Sequence, residues 1–183
     1  MKQWLAAYVR LYHEKKTCER LIKIGVETYL PIQEERHQWS DRVKKVERIV
    51  LPMIVFVHVE PTERGLPLTL LSVSRYLVLR GESTPAVIPD AQLERFRFML
   101  DHSEEAVELS TAPLAPGEWI RVVKGSLKGL EGELVKVNGK HKIAVRLSLL
   151  GVAQVSIPAA YVERIAEPPK NVASKENTSS YVR

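Results

Sequence analysis

The chain has 183 residues and a mass of 20.8 kDa, enough for one domain or two small ones. Hydrophobic residues make up 45% and charged residues 27%, so it can bury a core and is not a disordered chain. Lys+Arg outnumber Asp+Glu by 27 to 22, which permits a polyanionic partner without requiring one, and a single cysteine excludes an internal disulfide framework and a Cys-rich zinc site.

Charge divides the chain into blocks. Residues 1–100 carry net +4, residues 101–116 net −4, residues 117–165 net +4 and residues 166–183 net +1. The acidic stretch holds Asp101, Glu104, Glu105 and Glu108 and ends in Pro113 and Pro116, so it reads as a linker. The tail 166–183 lacks an apolar period and is expected to be disordered. At the N-terminus the apolar run breaks at Arg10, and no small-residue cleavage site follows. No stretch approaches the ~20 apolar residues of a membrane span. A soluble, cytoplasmic monomer without a membrane partner is expected.

In chain order, Trp4–Val9 reads as a buried strand. His13–Ile24 reads as a helix with Cys18, Leu21 and Ile22 on its apolar side and Gly25 at its end. Val26–Leu30 is a strand stopping at Pro31. Glu34–Val50 is a charged hairpin or loop around Ser40-Asp41. Leu51–Val59 is a second strand, rich in β-branched residues. Leu66–Val73 reads as a short helix and Tyr76–Leu79 as a strand. Pro89–Leu100 is a helix with Leu93, Phe96 and Leu100 on one face. This mixture implies one α+β or α/β layered domain. The second block is all strand: Trp119–Val123, Glu133–Val137, Lys142–Leu147 and Gln154–Ile157. Asn138-Gly139 is a strong hairpin signal, because both turn positions need φ > 0. Short twisted strands close most easily as a small barrel, which removes exposed edges.

No catalytic constellation stands out. The histidines, His13, His37, His58, His102 and His141, form no H-E-x-x-H and none adjoins Cys18. No G-x-S-x-G elbow is present. Val123–Gly132 is glycine-rich and basic but has the wrong spacing for a phosphate loop, so its glycines read as turn residues. A non-enzyme without metal or cofactor is expected.

Two basic clusters could meet nucleic acid. Arg10, Lys15, Lys16, Arg20 and Lys23 lie in or beside the first helix, with Lys16, Arg20 and Lys23 on one face. A solvated surface helix explains them equally well, since Glu14 and Glu19 dilute the field. Arg42, Lys44, Lys45 and Arg48 mark the hairpin, where only Trp39 could stack on a base.

The order of pieces is more telling than any one motif. WLAAYV is followed by a basic helix, GVETYLP, a charged hairpin, LPMIVFV, SVSRYLVLRG, PAVIPD, a linker and APGEWIRVVKGSLKGLEGELVKV. This order resembles the NusG family of transcription elongation factors, from the first strand to Ile165. The resemblance implies an α/β sandwich-like NusG N-terminal (NGN) domain over 1–100, the linker 101–116, and a small all-β KOW barrel over 117–165. It implies binding to the clamp helices of bacterial RNA polymerase through an apolar face comprising Tyr8, Leu51, Pro52, Ile54, Phe56 and Tyr76, each of which also reads as core. On this view Phe56→Ala with Ile54→Ala removes polymerase binding and spares the fold. The resemblance also places Arg10, Lys15, Lys16, Arg20 and Arg75 near upstream or non-template DNA. Leu149, Leu150 and Gly151 fall where the family's KOW domain meets Rho or a small-subunit ribosomal protein. Met53, Ile54 and Ser74 replace the usual Gly, Tyr and Pro, so the chain looks like a specialised antiterminator paralogue of the RfaH and UpxY kind, serving operons such as those for polysaccharide synthesis. The strand-rich second block argues against a helical alternative form. The competing reading is an RNA-binding or ribosome-associated KOW module that does not bind polymerase.

Overall fold

The structure, a computed structural model, describes residues 1–38, 43–111, 115–147 and 150–166. The expected disordered tail and the hairpin tip with Trp39 and Arg42 lie outside the described residues, apart from Ala166.

The first sheet is antiparallel and centred on β1 (Gln3–Val9). One side of β1 pairs with β5 (Ile54–Val59), from Gln3 opposite Val59 to Tyr8 opposite Ile54. β2 (Glu27–Tyr29) continues the sheet beyond β5. The other side of β1 pairs with β6 (Val73–Tyr76) and β7 (Val87–Ile88). Trp4, Leu5, Ala6 and Ala7 are all buried, so this sheet is covered on both faces. Leu5, Ala7, Val9, Val55, Val57 and Val59 form one face with Leu21 of α1 (Glu14–Lys23). Trp4, Ala6, Ile54, Phe56 and Ile88 form the other, with Leu93, Phe96, Met99 and Leu100 of α3 (Asp90–His102). The alternation follows from the two-residue period of a strand.

β3 (Ile32–Gln38) and β4 (Val43–Ile49) form a separate two-stranded hairpin. The remaining strands form a six-stranded antiparallel sheet in the order β13-β9-β10-β11-β12-β8. They are β8 (Glu108–Ser110), β9 (Glu118–Val122), β10 (Glu131–Val137), β11 (Lys140–Leu147), β12 (Gly151–Ser156) and β13 (Val162–Arg164). Asn138 and Gly139 turn between β10 and β11 with φ of 51° and 78°, as the hairpin signal requires. The expected barrel is not closed: among the described residues β13 and β8 end the ladder, with no pairing between them.

Several boundaries differ from expectation. Residues 51–53 form the turn into β5 rather than its start, because Pro52 cannot donate to the ladder and Met53 takes φ 63°. The helix expected over Leu66–Val73 is a single turn, α2 (Gly65–Leu68), and β6 begins at Val73. The acidic stretch is not a bare linker. α3 runs to His102, Val107 is fully buried, and β8 pairs with β12. Gln33 explains that docking. Its side chain is 2% exposed, accepts the Val107 N–H at 2.8 Å and donates to the Glu105 carbonyl at 2.8 Å. Arg48 adds a bond to the Val107 carbonyl at 2.9 Å. A single apolar cluster runs from the first sheet through α3 into Ile120, Ile143, Val145 and Val155 of the second.

Candidate interaction surfaces

Three surfaces follow from the sequence reading. The first is the apolar patch. Leu51, Ile54 and Phe56 are 5%, 4% and 0% exposed and pack in the core beneath α3. Tyr8 is half-buried against the same cluster, and Pro52 is exposed. Tyr76 belongs to the opposite face of the sheet, with Leu5 and Val9, and its hydroxyl donates to the Arg64 carbonyl at 2.7 Å. The patch is therefore not one surface: Tyr8, Leu51, Ile54 and Phe56 share a cluster, and Tyr76 does not. The expectation that Ile54 and Phe56 can be truncated harmlessly fails for the same reason. Removing buried side chains of this size costs about 3–5 kcal/mol for Phe and about 2–5 for Ile.

The second is the basic face of α1. The helix buries Glu14, Thr17 and Leu21, while Ile22, expected on the apolar side, is 60% exposed. Gly25 ends it with φ 84°, and the Val26 N–H returns to the Leu21 carbonyl at 3.0 Å. Lys16, Arg20 and Lys23 are exposed, and Arg10 is exposed just beyond β1. Lys15 is instead engaged by Glu47 of the hairpin. Arg75 lies over the Tyr8 ring, 5.1 Å from its centroid, a cation–π contact between neighbouring strands of the first sheet. In the hairpin, Lys45 pairs with Glu34 at 2.8 Å, and Arg48 with Glu35 and Gln33 and with the Val107 carbonyl, so these cations are engaged within the fold.

The third is the start of β12. Leu149 lies outside the described residues. Leu150 is buried with the core, and Gly151 has φ 113° with the Ser110 carbonyl oxygen 2.5 Å from where a Cβ would sit. The close approach at Gly151 lets β8 lie on β12.

Among the described residues no group of His, Cys, Asp and Glu could hold a metal, and no helix is long and apolar enough to cross a membrane. Among the described residues, three antiparallel sheets and three α-helices define a mixed α/β fold. The family follows from comparison. A family model described as transcription termination factor NusG matches residues 2–97, more than half of the chain, and the chain belongs to this family. Its members are transcription factors rather than enzymes. No curated protein matches. A solved structure described as domain interaction in Thermotoga maritima NusG is 14% identical, with TM-score 0.50 over 91% of this chain and 98% of that one, a likeness of fold. Two conformations of an MjSpt4:Spt5 complex are 12% and 10% identical, each over 90% of this chain and over 99% and 97% of their own, with TM-scores of 0.30 and 0.28.

Proposed function

We propose that this protein is a non-catalytic transcription elongation and antitermination factor that binds RNA polymerase through its first 100 residues. The family match over residues 2–97 carries this reading. The second sheet is the KOW unit, supported by the PGEWIRV and GSLKGLEG segments and the Asn138-Gly139 hairpin. Departures at Met53, Ile54 and Ser74 support a specialised paralogue of the RfaH and UpxY kind, acting on selected operons such as those for polysaccharides. Leu51, Ile54 and Phe56 shape the polymerase-facing region from beneath, while Tyr8 and Pro52 contact the clamp helices. Arg10, Lys16, Arg20 and Arg75 lie along upstream or non-template DNA. Leu149, Leu150 and Gly151 mark the contact to Rho or a small-subunit ribosomal protein.

The mechanism is differential binding. A factor with higher affinity for the elongating polymerase than for the paused one shifts the population towards elongation. A difference of ~1.4 kcal/mol changes the ratio tenfold, so modest contacts suffice. The test is binding of the purified protein to bacterial core RNA polymerase, with a NusG-family factor as competitor. Saturable binding displaced by the competitor is expected. No binding by folded protein, together with tight salt-sensitive binding to structured RNA, would replace this reading with the RNA-binding or ribosome-associated one.

A further inference from the structure

Residues 103–111, which follow α3, are bonded to a different element on each side. On one side is the β3–β4 hairpin. Gln33 and Arg48 stand directly opposite each other in its ladder, and both reach the backbone of this segment. The Gln33 Oε1 accepts the Val107 N–H, and its Nε2 donates to the Glu105 carbonyl, each at 2.8 Å. Arg48 donates to the Val107 carbonyl at 2.9 Å and to the Gln33 Oε1 at 3.3 Å. Val107 is fully buried, and hairpin side chains meet both of its backbone polar groups.

On the other side is the second sheet. Glu108, Leu109 and Ser110 pair with Gln154, Ala153 and Val152 of β12. The Glu108 carboxylate reaches across β12 to the buried Lys142 of β11 at 2.6 Å. Losing it would leave a buried ammonium without that carboxylate. Neither side stands by itself. Three residues at the edge of a sheet are too few to hold a strand in place alone. The hairpin pairs with no other strand among the described residues, and a lone two-stranded hairpin is marginal. Both therefore depend on the single step from Val107 to Glu108, where the hairpin's bonds end and those of the second sheet begin.

We infer that residues 103–111 are a latch that couples the β3–β4 hairpin to the edge of the second sheet. Drawing Gln33 and Arg48 away from Val107 frees β8 from β12. Freeing β8 loosens the hairpin in turn, because a coupling between two sites acts equally in both directions. Opening β8 uncovers the β12 edge from Val152 to Gln154 and lifts Ser110 off Gly151. Resting on the contact proposed above at Leu150 and Gly151, the latch controls access to that contact; the coupling itself does not depend on that reading. An occupant that favours the latched hairpin keeps the β12 edge closed, and one that favours the displaced hairpin opens it.

The experiment is amide hydrogen exchange of the full chain and its variants, read by mass spectrometry over β8, β12, the hairpin and the β1–β5 pair. Gln33→Leu is expected to speed exchange in β8 and at the β12 edge at least about tenfold, the scale of one lost buried hydrogen-bond partner, and to leave β1 and β5 as in the parent. Lys142→Met, a side chain of similar length without charge, is expected to speed exchange in β3 and β4 as well as in β8. Equal acceleration in β1 would show that Gln33 stabilises the whole fold, and the latch is overturned. It is overturned too if β8 stays protected in Gln33→Leu, or if Lys142→Met leaves the hairpin unchanged. Where Gln33→Leu does not fold, Arg48→Met removes the bond to the Val107 carbonyl and is expected to open β8 in the same way. The measurement uses no polymerase or other partner, so a failure of the latch and a failure of the proposed function are told apart.

Discussion

At Cys18 the fold sets the chemistry of a single thiol. The side chain sits on the inner side of α1, half-buried against the first sheet. Burial pushes its pKa up to about 11, an effect only partly offset by its hydrogen bond with Thr28. At pH 8 its thiolate fraction is about a hundredfold below that of an ordinary cysteine. Iodoacetamide should therefore label the native protein slowly at pH 8 and the urea-unfolded protein at the normal rate. Equal rates would show that the thiol is not held back by the fold. The folded value lies above the unfolded one, so between pH 9 and about pH 11 the native state binds more protons. This group leaves stability unchanged below pH 9 and lowers it as pH rises through that window. Gln33 makes a similar point. As a polar residue beginning a charged hairpin it gives no sign of burial, yet it satisfies two backbone groups of the 105–107 segment. Only the approach of those backbone groups, more than seventy residues away, makes its burial favourable.

At the scale of elements, local chemistry decided some turns and long-range pairing decided others. The Asn138-Gly139 hairpin and the glycine stop after α1 are legible because the backbone demand is local. β8 is not legible. Glu108, Leu109 and Ser110 lie in an acidic stretch, and they become a strand only because β12 offers an open edge. Gly151 makes that pairing possible, since a Cβ there would meet the Ser110 carbonyl oxygen at 2.5 Å. Gly151→Ala should lower stability by about 2 kcal/mol or more in urea unfolding, combining backbone strain with a close contact. Gly65→Ala, with open space and no positive φ, should stay within about 0.5 kcal/mol of the parent. Equal effects would mean that β8 does not depend on Gly151. The α1 stripe was half legible: Leu21 faces inward as its period requires, but Ile22 is exposed, and Glu14 and Thr17 are buried by bonds to Met53 and Ser72.

At the scale of the whole molecule, α3 is the joint. Its Phe96 is fully buried in a cluster that includes both sheets, and Arg95 lies over Trp119 at 5.2 Å. Phe96→Ala should cost about 3–5 kcal/mol. The loss should appear at the same denaturant concentration whether unfolding is followed at Trp4 in the first sheet or at Trp119 in the second, using variants that carry one tryptophan. Separate transitions would show that the shared core does not couple the sheets. The family's order of elements, the mixed first block, the all-strand second block and the basic face of α1 were determined by the sequence alone, because periodicity, turn chemistry and charge are local properties. Only the tertiary structure decided which apolar residues are core and which are surface. Phe56 and Tyr76 fall on opposite faces, Ile54 lies under α3, and Tyr12, Met53 and Leu71 remain in solvent. Hydrophobicity states that a side chain favours burial; whether it is buried depends on which other elements reach it.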